Sequence, residues 1–86
     1  MPWRLEFSAR ARRELHRLPA RDQAAIAAAL DRLPHEFGTL DMAKLAGSGN
    51  RWRLRVGRWR VIMELDNATG TALVARVVAR KDAYRD

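Results

Sequence analysis

The ten residues from 51 to 60, RWRLRVGRWR, restrict the fold of this chain more than any other stretch. Five of the ten are arginine, none is acidic, and from Arg51 to Val56 basic and large apolar side chains alternate. A period of two is typical of a β-strand with one buried and one open face. Gly57 and Arg58 interrupt the alternation, and glycine at the first central position suits a two-residue type II′ turn. The pattern predicts a β-hairpin whose returning strand covers residues 59–65.

The hairpin also predicts which side chains share a face. With a two-residue turn at positions 57 and 58, Arg55 lies directly opposite Arg60. The apolar face then carries Trp52, Leu54, Val56, Trp59, Val61 and Met63, and the open face carries Arg53, Arg55 and Arg60. Like charges that are directly opposed across a hairpin are destabilising. We therefore expect a sheet with this arrangement to bind an anion on its open face.

Arginine carries nearly all of the formal net charge of +7, because Lys44 and Lys81 are the only lysines. The planar guanidinium group donates hydrogen bonds in a fork that suits phosphate and carboxylate. A small domain with this charge is expected to bind nucleic acid, an acidic protein partner, or both.

The chain length and the absence of cysteine limit the class of protein. Its 86 residues are enough for one domain with a single modest core, and we take residues 1–86 as that domain. Without cysteine, a disulfide framework and thiolate metal sites are excluded, which fits a reducing cytoplasm. No apolar run is long enough to span a membrane, and the N-terminus lacks a signal peptide's apolar segment. We expect a cytoplasmic protein without a membrane partner.

Two helices are predicted between a first strand and the hairpin. Alternation over residues 2–7 predicts the strand. Ser8 is a suitable N-cap for a helix to about Leu18, and a second helix is predicted from about Ala20 to Leu33. Pro34 and Gly38 are expected to close the second helix.

The remaining segments predict a connector and a last strand. Residues 38–50 are predicted to form the connector, with room for a short turn around residues 41–45. Residues 71–80 are predicted to form the last strand. The side of this strand that carries arginine is expected to be open, because uncompensated buried arginine is rare. This phase places Leu73, Ala75, Val77 and Ala79 toward the core and Val74, Arg76, Val78 and Arg80 on the open face.

The predicted elements define an α+β fold. Their order is strand, helix, helix and a three-stranded antiparallel meander, with the helical hairpin packed on one face of the sheet. The first strand must join the sheet at an edge or beside the last strand, and the sequence leaves this choice open.

Three segments follow one another through the second half of the chain. They are KLAG at residues 44–47, WRLRVGRWRVIMEL at residues 52–65 and VVARKDAY at residues 77–84. In this order and at this spacing they resemble the RelE/ParE family of toxins from bacterial type II toxin–antitoxin pairs, and the resemblance covers nearly the whole chain. It implies the family's fold and a cognate antitoxin encoded beside the gene, which the charge of +7 predicts to be acidic.

The resemblance implies one of two activities. RelE-type members are ribonucleases that cut messenger RNA in the ribosomal A site, whereas ParE-type members inhibit DNA gyrase and are not nucleases. The positions that work in RelE-type members fall here on Arg53, Arg55, Arg60, Arg80 and Tyr84, all of them suitable residue types. This favours a ribosome-dependent messenger RNA endonuclease. A gyrase inhibitor and a nucleic-acid-binding domain without catalysis are the alternatives.

The chemistry expected from the resemblance needs neither a metal nor a cofactor. The four arginines would stabilise negative charge that develops on the scissile phosphate. Tyr84 would exchange a proton or stack on a base, and the product would be a 2′,3′-cyclic phosphate. Ala79 stands where many relatives carry histidine, and His16 and His35 both fall in the helical region, so the general acid and base stay open. Further RNA-binding candidates are Lys44, Arg51, Arg58, Arg76 and Lys81, with a structural role as the alternative for Arg76.

Overall fold

The computed structural model describes residues 3–47 and 49–80. In chain order these form β1 (Arg4–Phe7), α1 (Ala9–His16), α2 (Ala20–Glu36), a 3₁₀ turn (Phe37–Thr39), β2 (Met42–Lys44), β3 (Arg51–Val56), β4 (Trp59–Asp66) and β5 (Thr71–Ala79). The strands of this described part form one sheet in the order β1-β5-β4-β3-β2. Apolar residues of both helices form one core with β3, β4 and β5, which confirms the α+β class and the helical layer on one face.

The central hairpin has the predicted register. Arg55 pairs with Arg60, and Val56 pairs with Trp59 across the turn. Gly57 has φ of +59°, and no non-glycine residue in the described ranges has positive φ. Positive φ at the first central position alone agrees with the predicted type II′ turn. Parity along both strands is therefore set by the two-residue turn.

Strands on both sides of the predicted meander complete the sheet, and one of them, β2, was not predicted. Residues 42–44, predicted as connector, form the edge strand β2 and pair antiparallel with residues 52–54 of β3. At the other edge β1 pairs parallel with β5, so the first strand joins both beside the last strand and at an edge. A three-residue strand is too short to show an alternation that can be recognised in sequence, which explains why β2 was missed.

The helix α2 extends three residues beyond its predicted end at about Leu33. The helix continues to Glu36, with Pro34 inside its last turn and Leu33 fully buried beneath it. A proline inside a helix removes one backbone hydrogen bond and crowds the carbonyl four residues earlier, and here the burial of the neighbouring Leu33 holds the backbone helical despite that cost. Thr39 stabilises this end, because its hydroxyl donates to the Glu36 carbonyl at 2.8 Å. Ser8 is the observed N-cap of α1, as predicted, and accepts from the Ala11 amide at 3.0 Å.

A bulge in β5 corrects the predicted phase of the last strand. Val74 pairs with Met63 and Arg76 pairs with Ile62, so Ala75 is an extra residue opposite a single step of β4. An extra residue reverses the alternation between faces. The predicted phase is right on the Arg76 side of the bulge and wrong before it, where Val74 is in the core cluster.

The bulge lies where β1 gives way to α1. The Ser8 amide donates to the Val74 carbonyl at 2.9 Å, and the Ser8 hydroxyl donates to the Ala75 carbonyl at 2.9 Å. Contacts from the start of the chain thus satisfy the irregular backbone of β5.

In the described part of the chain neither helix combines the length and hydropathy that a membrane span requires.

Candidate nucleic-acid interface

Three arginines meet on the face of the sheet that is opposite the helices, which we call the open face. Arg53 and Arg55 point there from β3, because Leu54 between them is in the core. Arg60 joins them from β4 as the direct partner of Arg55. Regular strand alternation on both sides of a tight turn places these three guanidinium groups together, as the sequence predicted.

Arg60 is the most buried of the three. Its exposed fraction is 6%, and it lies between Arg55 on one side and Val78 of β5 on the other. A central strand and two neighbouring strands limit the movement of its backbone and aliphatic stem. Arg60 is therefore a rigidly placed cation, whereas the Arg53 and Arg55 side chains stay partly accessible.

Asp41 supplies the negative charge closest to these arginines in the described residues, and sequence analysis did not identify it. Its Oδ1 is 3.1 Å from Nη1 of Arg53, and its Oδ2 is 3.7 Å from Nε of Arg55. The Asp41 carbonyl also accepts from the Arg55 amide at 3.0 Å. The expected anion on the open face is thus provided in part by the chain itself. The sequence carries no signal for it, because Asp41 reaches the arginines only through the pairing of the short strand β2 with β3.

The opposite end of the open face is acidic. Arg51 pairs across the hairpin with Glu64, and the Nε atom of Arg51 is buried without a hydrogen-bond partner in the described residues. Beyond them a hollow of about 320 Å³ is lined by Glu6, Asn50, Glu64, Asp66, Thr69, Thr71 and Leu73. The open face is therefore basic near the hairpin turn and acidic at the far end, which favours a polyanion only at the turn end.

Arg76 is engaged by α1 at the edge of β5. Its Nε and Nη2 atoms are each 3.0 Å from Oε2 of Glu14, and both side chains are less than one-fifth exposed. Oε1 of Glu14 accepts from the Val77 amide at 2.8 Å, where β1 no longer pairs with β5. Arg10 approaches the same carboxylate at 3.7 Å. This geometry supports the structural alternative for Arg76.

The other candidates lie around the margin of the basic region. Lys44 pairs with Trp52 and so belongs to the helix-side face of the sheet. Arg58 is exposed in the hairpin turn, with its guanidinium carbon 5.6 Å from the centre of the Trp59 ring. Arg80 is exposed next to that turn, because its amide donates to the Arg58 carbonyl at 2.7 Å.

Two of the candidates, Lys81 and Tyr84, lie outside the described residues. His16 and His35 are exposed on the helices, away from the open face. In residues 3–47 and 49–80 no group of three His, Cys, Asp or Glu side chains has an arrangement that could hold a metal ion.

The arrangement can stabilise charge but cannot by itself move protons. Guanidinium groups stay protonated at neutral pH, so Arg53, Arg55 and Arg60 act as fixed hydrogen-bond donors. A phosphate among them would accept several charge-assisted hydrogen bonds. Proton transfer would need another group.

Comparisons with known proteins agree with one another. A sequence model of the family described as ParE toxin of type II toxin–antitoxin systems matches residues 5–84. Toxin RelG of Mycobacterium tuberculosis is 35% identical over an alignment of 89 positions, which covers 99% of each chain. Both matches extend over the hairpin arginines as well as the helices.

Solved structures share the fold. The archaeal RelE–RelB complex of Pyrococcus horikoshii matches with a TM-score of 0.81 at 24% identity, over 96% of this chain and 100% of that chain. A toxin–antitoxin complex of Mycobacterium tuberculosis matches with a TM-score of 0.78 at 29% identity, over 93% of this chain and 100% of that chain. A mutant of Escherichia coli toxin RelE in the free state matches with a TM-score of 0.80 at 19% identity, over 98% of this chain and 90% of that chain.

Proposed function

The chain belongs to the RelE/ParE family of type II toxins, and on that premise we propose that it is a ribosome-dependent endoribonuclease that cuts messenger RNA. The observation that carries the proposal is the meeting of Arg53, Arg55 and Arg60 on one face. The 35% identity to Toxin RelG over the full length supports the RelE-like activity.

The proposed reaction is an internal transfer at phosphorus. The 2′-oxygen of the messenger attacks the adjacent phosphorus in line, the bond to the 5′-oxygen breaks, and the products are a 2′,3′-cyclic phosphate and a 5′-hydroxyl. Negative charge grows on the phosphate oxygens as the attacking bond forms. Arg60 meets that charge from a fixed position, and Arg53 and Arg55 hold the phosphate from the side, which is electrostatic preorganisation. Arg80 would add a fourth cation.

The protons need a different residue. The 2′-hydroxyl loses one proton and the 5′-oxygen gains one, and arginine serves neither step at neutral pH. We assign the exchange of at least one of these protons to Tyr84. No metal ion is part of the proposed mechanism.

A cognate antitoxin is the proposed protein partner. The net charge of +7 and the three arginines on one face favour an acidic segment that covers the open face when no RNA is bound. The Pyrococcus horikoshii and Mycobacterium tuberculosis matches are both complexes of a toxin with its antitoxin, which supports this assignment. A purified complex with a bare open face and undiminished toxin activity would contradict it.

Gyrase inhibition is the second candidate, because the matching family model is that of ParE toxins. It would use the same fold as a protein-binding surface without chemistry. In that case the arginines would contact acidic side chains of the target enzyme rather than a scissile phosphate.

One pair of assays separates the candidates. Toxin freed from antitoxin is added to a translation extract, and transcripts are mapped by primer extension with and without ribosomes; supercoiling by purified gyrase is measured in parallel. Ribosome-dependent new 5′ ends are expected from the wild type, absent from Arg60→Gln and retained in Arg12→Gln, which removes an exposed charge on α1. Intact transcripts with inhibited supercoiling would establish the gyrase alternative, and intact transcripts with normal supercoiling would reject both.

A further inference from the structure

Asp41 is a charged residue beside the hairpin arginines that the proposed cleavage does not use. One carboxylate reaches two guanidinium groups, with Oδ1 3.1 Å from Arg53 Nη1 and Oδ2 3.7 Å from Arg55 Nε. We infer that Asp41 is a built-in counter-ion that a phosphate of bound RNA displaces, so that it sets the affinity of the hairpin arginines for nucleic acid. The inference rests on the proposed function in one respect, the identity of the ligand as RNA.

The backbone holds Asp41 at this position. Its carbonyl accepts from the Arg55 amide at 3.0 Å and from Nη1 of Arg53 at 3.2 Å. The next residue begins β2, which is paired with β3. The Cα of Asp41 is thereby fixed relative to the backbone of the two arginines, and rotation of its two side-chain torsions is enough to break the carboxylate contact.

The side-chain contact is easily exchanged. The Asp41 side chain is 56% exposed, so water competes for both of its oxygens. Exposed ion pairs are weak for this reason. Rotation about the Cα–Cβ bond would release the carboxylate into solvent while the backbone hydrogen bond to Arg55 remains.

A phosphodiester fits the same donors. It presents two unesterified oxygens, as a carboxylate does, and both groups accept paired hydrogen bonds from guanidinium. Asp41 and a phosphate cannot both accept from Arg53 and Arg55 in the same place. A single free anion must therefore compete with a carboxylate that is always present. A polynucleotide makes further contacts, such as one to Arg60, and so displaces the Asp41 carboxylate more readily than a free anion does.

The test measures binding without cleavage or ribosomes. A fluorescein-labelled single-stranded RNA hexamer with 2′-O-methyl groups, which lacks the attacking hydroxyl, is titrated with toxin freed from antitoxin, and anisotropy is recorded at several potassium chloride concentrations. Asp41→Asn is expected to lower the Kd about two- to fivefold, the ratio expected for one exposed ion pair. The slope of log K against log salt should steepen by up to about 0.7, one single-strand charge equivalent.

Matched variants separate position from net charge. Asp31→Asn removes the same charge from an exposed site on α2 and should leave the Kd within a factor of about 1.5. Asp41→Ala, which keeps no side-chain acceptor, should tighten binding at least as much as Asp41→Asn. Circular dichroism confirms that each variant is folded, and Asp41→Ala replaces Asp41→Asn as the deciding variant if the latter is not.

The inference is overturned if Asp41→Asn and Asp41→Ala bind as weakly as the wild type or more weakly. It is equally overturned if Asp31→Asn tightens binding by the same factor, or if the wild type does not bind the hexamer at all. Ribosome-dependent cleavage is scored separately. Tighter binding of the Asp41 variants without any cleavage would contradict the proposed nuclease activity and support the counter-ion role of Asp41. Cleavage with unchanged binding would support the nuclease activity and contradict the counter-ion role.

Discussion

Two carboxylate–arginine clusters in this domain have the same chemistry but differ in the exposure of the carboxylate. Glu14 contacts Arg76 and the Val77 amide at 3.0 Å or less, with both charged side chains less than one-fifth exposed. Asp41 reaches Arg53 at 3.1 Å and Arg55 only at 3.7 Å, and more than half of its side chain is exposed. The first cluster joins α1 to the edge of β5, and the second lies on the open face.

The difference shows which arginines can serve a ligand. Breaking a buried, multiply bonded pair leaves a desolvated charge, so Arg76 is held by the fold. The Asp41 carboxylate is 56% exposed and returns to water when its pair breaks, although Arg53 and Arg55 are themselves only 18% and 27% exposed, so a better acceptor can replace it at a smaller cost. Arginine content alone does not distinguish these situations, whereas the position of the partner carboxylate does.

The largest expected effect concerns the proton that neither cluster can supply. Tyr84→Phe should lower single-turnover cleavage on programmed ribosomes by about 10²–10⁴ and change the pH profile, because general acid–base catalysis needs the hydroxyl. Binding of uncleavable RNA should be unchanged. A near-normal rate would show that the ring acts by stacking and that the proton passes through another group.

Removal of the rigid cation on the ligand side should come next. Arg60→Ala should lower the same cleavage step by about 10²–10³, the scale of one lost preorganised donor. Arg76→Ala is the matched control, since it removes an arginine from the same sheet but from the structural cluster. We expect its cleavage rate to stay within about threefold once folding is verified. Equal losses in both variants would contradict the distinction between the clusters.

The structural cluster should dominate stability. Glu14→Gln should lower the free energy of unfolding by about 1–3 kcal/mol, below the range for a fully buried pair because both partners retain some exposure. Urea unfolding measures this. Glu36→Gln, which breaks the exposed Arg32–Glu36 pair on α2, should change stability by no more than about 0.5 kcal/mol. A Glu14→Gln loss as small as that of the control would remove the structural assignment of Arg76.

The smallest expected effect tests whether Asp41 screens the opposed arginines. Arg55→Gln relieves repulsion against Arg60 but also removes the ion pair with Asp41. The net change in unfolding free energy should therefore lie within about 0.5 kcal/mol. In an Asp41→Asn background the same change should stabilise by about 0.2–1 kcal/mol. The cycle of urea midpoints checks this, and stabilisation of equal size in both backgrounds would show that Asp41 does not screen the pair.

The predictable parts of the fold were those set by neighbours in sequence. The hairpin register follows from Gly57 and the alternation around it, so Arg53, Arg55 and Arg60 could be placed on one face correctly. The Ser8 cap of α1 is equally local. The chemical roles of these arginines, and those of Arg80 and Tyr84, stay predictions.

The parts that failed depend on contacts distant in sequence. The carbonyl of Ala75 at the bulge accepts a hydrogen bond from Ser8, 67 residues away, and no pattern in residues 71–80 predicts the bulge. Asp41 reaches Arg53 only because three residues of β2 form an edge strand, and Pro34 stays helical because Leu33 is fully buried. Tertiary packing decided all three, and local propensity did not.

The most direct test observes the guanidinium groups themselves. Toxin labelled with ¹⁵N-arginine is titrated with the uncleavable RNA hexamer, and the Nε–H resonances are followed by NMR after assignment with single Arg→Lys variants. Arg53, Arg55 and Arg60 should shift together and saturably, while the Arg76 resonance, held by Glu14, should stay in place. Shifts of Arg76 as large as those of the hairpin arginines, or no shift at Arg53 and Arg55, would contradict the account.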